Sequence, residues 1–354
     1  MLKIGITHGD FNGVNYELLL KIFEDPAMTE LGVPVIYGSP KIAGWYAKSL
    51  NMPQVKMNVI DSAAQARQGV VNIINIIGSE EPEISPGKST AVAGKAALVA
   101  LEQAVYDLKE GKIDVLVTAP INKENIQGDG FNFPGHTEFL EAKLADDVDN
   151  KSLMILCSDY LRVALVTGHI PLGEVATSLN VNDIVDKLRI FNKSLEEDFS
   201  IYRPKIAVLA CNPHGGDHGV IGKEDDEIVE KAISEAENKG ILAFGPYPAD
   251  GFFGAGTYKK FDGVLAIYHD QGLIPFKTIA MDDGVNFTAG LPYIRTSPDH
   301  GTAYDIAGKN IASPDSLRKA IYMAIDFYRN RKQNRAAKSN PLKKHYATTP
   351  NNRE

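Results

Sequence analysis

The chain has 354 residues, 44% apolar and 23% charged, enough for two domains around a shared cleft. Its 37 basic against 45 acidic residues give a net charge of −8, which argues against nucleic acid or an anionic membrane as partner of the folded body. Two cysteines, Cys157 and Cys211, cannot build a disulfide framework, and no run reaches the roughly 18 apolar residues of a membrane span. We therefore expect a cytoplasmic protein with reduced thiols.

Short β-branched runs alternate with helical patterns along the chain, which is typical of an α/β fold with a largely parallel sheet. Seven strands are predicted, at residues 2–7, 33–37, 114–118, 152–157, 162–167, 205–211 and 263–268. Helices are predicted at 89–108, 181–195 and 225–239. A last helix is expected to start at Ser313, as N-cap, with Pro314 in its first turn, and to end at about Arg329.

Residues 331–354 carry many more basic than acidic side chains and lack an apolar period. We interpret them as a basic, disordered tail exposed to solvent, with nucleic-acid binding as the lesser alternative.

Two phosphate-binding signals fail on inspection. Pro86-Gly87-Lys88-Ser89-Thr90 resembles the end of a P-loop, but the required earlier glycine is replaced by Pro82, so a turn and helix cap is the better interpretation. No G-x-G-x-x-G follows any predicted strand, so a dinucleotide would not be bound through the usual Rossmann fingerprint. The sequence therefore assigns no cofactor-binding residue.

Three of the eight histidines, His169, His214 and His269, come at or just after the carboxyl ends of predicted strands. Open parallel sheets bind ligands at that edge, and neutral imidazoles suit Zn²⁺, Co²⁺, Mn²⁺ or Fe²⁺. A single such histidine is more often a hydrogen-bonded loop residue, and spacing alone leaves a metal site as one of two open interpretations. His8, His218 and His300 are weaker candidates.

A lysine, an amide and an arginine lie close together downstream, at Lys277, Asn286 and Arg295. Such groups can hold a phosphate monoester by charge-assisted hydrogen bonds. Taken alone, Lys277 and Arg295 are better explained as ordinary surface charges.

Several longer blocks resemble, in order, the signature segments of the 4-hydroxythreonine-4-phosphate dehydrogenase family of pyridoxal phosphate (vitamin B6) biosynthesis. They are VTAPINKENI, FPGHTEFL, VTGHIPL, CNPHGGD, YPADGFF, YHDQGLIPFK and GVNFTAGLPYIRTSPDHGTAYDIAGK. The resemblance covers the chain from about Met1 to Arg329, and it implies a two-domain fold like that of isocitrate and isopropylmalate dehydrogenases, with the active-site cleft between domains. We place one α/β domain at 1–125 plus 290–330 and the other, which carries the dimer interface, at 126–289.

The resemblance also implies residue roles. Divalent metal (Zn, Mg, Co or Mn) would be held by His169 and His214 of one subunit and His269 of its neighbour in an obligate homodimer. Substrate contacts would come from His136, Thr137, Lys277, Asn286 and Arg295. Asp250, contributed across the interface with His269, and Lys123 are the candidate catalytic groups, with a metal-bound water as a third possibility for the general base.

The implied reaction is NAD-dependent oxidation of 4-phosphooxy-L-threonine followed by decarboxylation to 3-amino-2-oxopropyl phosphate. The opening block HGDFNGVNYE departs from the family pattern PGDPAGIGPE, keeping only Gly9, Asp10, Gly13 and Glu17. A sister dehydrogenase acting on a phospho-threonate-like acid or a cis-dihydrodiol is therefore the alternative. From another class, a metal-dependent phosphohydrolase or a phospho-ligand binder would use similar residues.

Overall fold

A computed structural model describes residues 1–78, 82–128, 130–145, 151–281 and 283–339. Its centre is one 12-stranded sheet with strand order β3-β4-β2-β1-β5-β12-β11-β6-β7-β10-β8-β9. The strands are β1 Lys3–Thr7, β2 Val33–Gly38, β3 Met57–Ile60, β4 Val71–Asn75, β5 Val115–Thr118, β6 Leu153–Cys157, β7 Arg162–Leu165, β8 Lys205–Leu209, β9 Leu242–Tyr247, β10 Gly263–Ala266, β11 Val285–Ala289 and β12 Arg295–Pro298.

Helices cover the sheet. They are α1 Asn15–Phe23, α2 Pro40–Ser49, α3 Ala91–Lys109, α4 His136–Leu144, α5 Val175–Ser178, α6 Val181–Glu197, α7 Glu230–Asn238, α8 Ala249–Gly254, α9 His269–Ala280 and α10 Asp315–Ser339. Sequence cues set several of their starts: Thr90 caps α3 through its side chain and Asn180 caps α6 in the same way. The turn-and-cap interpretation of the segment before α3 is thus confirmed.

The sheet has two halves of opposite direction. Strands β3, β4, β2, β1, β5 and β12 are mutually parallel, and so are β7, β10, β8 and β9. Between them, β11 is antiparallel to β12 and β6, and β6 is antiparallel to β7, so the last four strands run against the first six. The halves use the same chain ranges as the two predicted domains, whose boundaries stay a prediction.

The core lies between the central strands and the long helices. Phe287 of β11 packs on Phe327 of α10 with ring centroids 4.4 Å apart, and Phe199 lies 4.8 Å from Phe327. Burying an aromatic side chain of this kind contributes about 1.5–3 kcal/mol relative to exposure. These contacts fix α10 beneath the strands that carry Asn286 and Arg295.

The predicted end of the last helix is wrong. Helix α10 continues past Arg329 to Ser339, so the first part of the predicted disordered tail is helical. Asp198 at the end of α6 accepts a hydrogen bond from Arg331 (2.5 Å), and Lys338 forms an ion pair with Glu197 (2.6 Å). Polar contacts therefore hold this extension, which is why the apolar period stops before the helix does. Residues 340–354 of the tail lie outside the described residues.

Among the described residues, no helix combines the length and apolar character needed to cross a membrane. Cys157 and Cys211 are both free thiols. The cytoplasmic location stays a prediction.

His8, in the unusual opening block, is fully buried between Phe11 and Tyr16. Burial lowers its pKa from 6.5 to about 4, because the charged imidazolium loses its hydration. The unfolded chain therefore binds a proton here between about pH 6.5 and pH 4 that the folded chain does not bind. Stability is full above this window and is lost as pH falls through it.

We expect His8→Gln to reduce this acid sensitivity. The difference in unfolding free energy between pH 7 and pH 4.5, measured by urea denaturation, should shrink by about 2 kcal/mol relative to wild type. The exposed His218, changed to Gln, is the matched control and should leave the difference unchanged. An unaltered pH dependence in His8→Gln would contradict the assignment.

Candidate active site

A cleft of about 280 Å³ lies on one face of the central strands, where the two halves of the sheet meet. Its floor comes from alternate residues of neighbouring strands, Met154 and Leu156 of β6 and Arg295 and Ser297 of β12. Because side chains two positions apart share one face of a strand, the hairpin of β11 and β12 presents its polar residues to this cleft. The carboxyl end of β5 and the start of α4 form one wall, and the start of α9 forms another.

Arg295 is a buried cation in this cleft, with only 2% of its surface exposed. Its guanidinium donates to Thr118 Oγ1 (2.6 and 3.0 Å) and to Thr288 Oγ1 (3.1 Å). Among the described residues no carboxylate lies within ion-pair distance of it. Burial lowers the pKa of Arg295 to about 9, so the side chain stays charged at neutral pH. A buried charge whose partners are hydroxyl groups destabilises the fold, and a bound anion would offset that cost.

A second cation, Lys277 of α9, lines the same cleft. Its ammonium lies 3.4 Å from Asp299 Oδ1 and 3.3 Å from the Asp299 carbonyl oxygen. Burial raises the pKa of Asp299, whereas Lys277 opposes that rise. His300 is beside them, and burial lowers its pKa. Lys277 is therefore partly neutralised, in contrast to Arg295.

Four buried polar atoms in the cleft have no hydrogen-bond partner among the described residues: His136 Nε2, Glu138 Oε2, Asn286 Oδ1 and His300 Nε2. Burial lowers the pKa of His136 well below its usual value, and the positive Arg295 and Lys123 add to this effect. The ring is therefore neutral at physiological pH, and its Nε2 can donate or accept one hydrogen bond with a ligand. Unpaired buried polar atoms are costly, so their convergence indicates a site built for a polar ligand.

His169 and His269 face each other across the cleft, with ring centroids 5.6 Å apart. Each has a carboxylate beside its Nδ1: Asp270 Oδ1 lies 2.7 Å from that of His269, and Glu138 Oε1 lies 3.6 Å from that of His169. The contact with His169 lowers the pKa of Glu138 and keeps this carboxylate ionised. A carboxylate at Nδ1 holds the proton there and leaves Nε2 free to act as a ligand.

His214 does not share this cleft, although it follows β8, the neighbour of β10. It is exposed and has a left-handed backbone (φ 55°), in a turn whose preceding amides, those of Cys211 and Asn212, donate to the buried Asp225 (2.6 and 3.0 Å). Among the described residues, no group of three His, Cys, Asp or Glu side chains could hold a metal ion. The implied distribution, with His169 and His214 in one chain and His269 in the neighbour, stays a prediction, and the pairing of His169 with His269 within one chain is the alternative that this geometry offers.

Asp250 is also absent from the cleft wall. It is exposed at the start of α8, just after β9, which pairs with β8. His214 and Asp250 thus follow the neighbouring strands β8 and β9 at the outer end of the sheet. Lys123 and Thr137, in contrast, line the cleft, and their roles stay a prediction.

The cleft gathers most of the predicted site and some residues that sequence reasoning missed. Predicted residues on its wall are Lys123, His136, Thr137, His169, His269, Lys277, Asn286 and Arg295. The cleft is also lined by Thr118, Glu138 and Asp299, which the sequence analysis did not single out, and by His300, which it gave only as a weaker candidate. Glu138 and Asp299 stand inside the matched blocks FPGHTEFL and SPDHGTA, so their position was the available signal.

The chain matches known proteins over most of its length. The family model described as pyridoxal phosphate biosynthetic protein PdxA matches residues 30–324. A 4-hydroxythreonine-4-phosphate dehydrogenase from Bacteroides thetaiotaomicron is 54% identical over 345 residues, covering 98% of this chain and 94% of the relative. Both findings support the resemblance drawn from the sequence blocks.

Solved structures agree as well. The crystal structure of 4-hydroxythreonine-4-phosphate dehydrogenase from Klebsiella pneumoniae has a TM-score of 0.79 at 32% identity, covering 93% of this chain and 100% of that chain. Isocitrate dehydrogenase from Methylococcus capsulatus, at 13% identity, has a TM-score of 0.50 over 96% of this chain and 89% of its own, which confirms the predicted fold class. The chain belongs to the 4-hydroxythreonine-4-phosphate dehydrogenase (PdxA) family of pyridoxal phosphate biosynthesis.

Proposed function

We propose that the chain oxidises 4-phosphooxy-L-threonine, with NAD as hydride acceptor, and decarboxylates the product to 3-amino-2-oxopropyl phosphate. The observation that carries this proposal is the buried Arg295, which has no carboxylate partner among the described residues and lies in the same cleft as the histidine pair. The 54% identical dehydrogenase supports the reaction class. The protein is therefore an oxidoreductase.

In this proposal, the chain's own groups bind and orient the substrate. Arg295 and Lys277 neutralise the phosphate, and Asn286, two residues before Thr288 on β11, contributes a hydrogen bond from the same face of the sheet. The neutral His136 and Thr137, at the first turn of α4, orient the remaining polar groups. Lys123 lines the cleft near His136 and is the candidate general base within this chain.

We further propose that one divalent ion (Zn, Mg, Co or Mn) is shared between two chains. His169 and His269 of one chain fit two ligand positions, because no described residue forms a hydrogen bond with Nε2 of either ring. His214 of the partner subunit would supply the third, and Asp250, near the same end of the sheet as His214, would accompany it. When bound, such an ion acts as a Lewis acid that lowers the pKa of the substrate hydroxyl.

Exposed apolar side chains support this homodimer. Ile170 and Leu172 follow His169 and are 38% and 74% exposed, while Val220 and Ile221, in the loop after His214, are 81% and 47% exposed. Apolar groups of this size next to both halves of an incomplete site indicate a surface that is covered in the assembly.

The experiment that tests the reaction mixes the protein with NAD⁺, a divalent ion and 4-phosphooxy-L-threonine. We expect NADH absorbance and CO₂ to rise together, with no release of inorganic phosphate. Phosphate release without NADH would identify a phosphohydrolase. NADH formation from a phospho-threonate-like acid or a cis-dihydrodiol, but not from 4-phosphooxy-L-threonine, would identify a sister dehydrogenase.

A further inference from the structure

A second cavity, of about 230 Å³, shares no lining residue with the substrate cleft. It lies between α6, α10 and the turn that joins β11 to β12. Four basic side chains line it, namely Arg189, Lys193, Arg331 and Arg335, against two acidic ones, Glu197 and Asp198. The cavity is thus locally positive in a chain whose net charge is −8.

Both acidic side chains are already neutralised. The buried Asp198 carboxylate accepts from Arg331 Nε (2.5 Å) and from Ser194 Oγ (2.7 Å), and Glu197 forms an ion pair with Lys338 (2.6 Å). Their charge therefore does not cancel the other basic groups of the cavity.

The other three basic side chains of the cavity have few ion-pair partners among the described residues. Lys193 and Arg335 are exposed, and neither makes an ion pair with any residue in the described part of the chain. Arg189 has a distant contact, with Nε 3.8 Å from Asp186 Oδ1. Three cations directed at one small cavity repel each other, and a bound anion relieves that repulsion.

We propose that this cavity is a binding site for a phosphate monoester, separate from the substrate cleft. A dianion would neutralise two of the three cations that remain, Arg189, Lys193 and Arg335. The volume suits a small phosphorylated metabolite, and the Arg189 and Arg335 guanidinium groups can each present two donors to phosphate oxygens.

The cavity is connected to the substrate cleft through the backbone. Arg331 Nη1 donates to the carbonyl oxygens of Leu291 (3.3 Å) and Pro292 (3.1 Å), in the turn between β11 and β12. Strand β12 begins at Arg295, three residues after Pro292. An anion that holds Arg331 in place therefore also restricts the motion of the β11–β12 hairpin. We expect the ligand to change KM for the phosphorylated substrate. This coupling rests on the proposed function, whereas the binding does not.

The test is calorimetric titration with glycerol 3-phosphate in a Lys277→Ala background, where binding in the substrate cleft is weakened. Adding Lys193→Ala and Arg335→Ala should raise Kd at least about tenfold, because two charge-assisted contacts are lost. The matched control adds Lys205→Ala and Lys231→Ala, which remove two exposed charges elsewhere, and should leave Kd unchanged. Hydrogen exchange at the Gly290 and Leu291 amides should slow with ligand only when the cavity is intact.

Equal affinity in the cavity and control variants would overturn the proposal, even if the protein is a fully active dehydrogenase. A single-stranded oligonucleotide that binds more tightly than glycerol 3-phosphate, and loses affinity in the cavity variant, would also overturn it in favour of a nucleic-acid surface. Failure of the dehydrogenase assay with normal calorimetric results would contradict the proposed function alone.

Discussion

Replacing Arg295 by alanine should lower kcat/KM for 4-phosphooxy-L-threonine at least about a hundredfold, or about 3 kcal/mol in transition-state stabilisation. The guanidinium is buried, and among the described residues its hydrogen-bond partners are the hydroxyls of Thr118 and Thr288, so it can bind an anionic ligand. Arg295→Lys keeps the charge but loses the planar fork, and we expect it to recover only part of the loss. Steady-state kinetics of NADH formation on the three proteins measure both effects.

The comparison substrate is dephosphorylated 4-hydroxythreonine, for which the penalty of Arg295→Ala should largely vanish. The control variant is Arg162→Ala. Arg162 is a partly buried arginine on β7 that lies over the Phe199 ring (4.9 Å) outside the cleft, so its loss affects stability but not substrate discrimination. An equal loss on both substrates in Arg295→Ala would show that Arg295 serves the fold or the carboxylate instead of the phosphate.

Changing His169, His214 or His269 singly to alanine should remove nearly all activity and most of the bound metal, since three protein ligands are the minimum for such a site. Mixing pairs of these inactive chains then reveals which ligands belong to the same subunit. His169→Ala mixed with His214→Ala should recover about a quarter of wild-type activity, because half of the dimers are mixed and one of their two sites is intact.

His169→Ala mixed with His269→Ala should recover nothing, since these two side chains face each other in one chain (5.6 Å between centroids) and every site loses one of them. Metal content of the mixtures, measured after dialysis, should follow the same pattern and does not depend on catalysis. Recovery in the second mixture but not in the first would place His269 in the neighbouring subunit and contradict the geometry described above.

Local sequence features predicted many of the helices and strands. Apolar periods and caps located α3 and α6 to within a few residues, and seven buried strands stood out as β-branched runs. Strands β3, β4, β9, β11 and β12 were missed. In β11 and β12 the reason is functional: Asn286, Thr288 and Arg295 make these strands too polar to be recognised, because they pass through the site.

For the candidate site, too, some features followed from the sequence and others only from the tertiary structure. The sequence by itself determined the α/β class, the histidines at strand ends and the basic residues Lys277 and Arg295, since these depend on residue type and on short-range order. Only the tertiary structure decided that His269 faces His169, while His214, in a left-handed turn beyond β8, does not line the cleft. Strand order and turn direction follow from pairing between distant segments, which no local pattern encodes. The same long-range packing brought the Glu138 carboxylate to His169 and carried α10 past Arg329 to close a second, positively charged cavity.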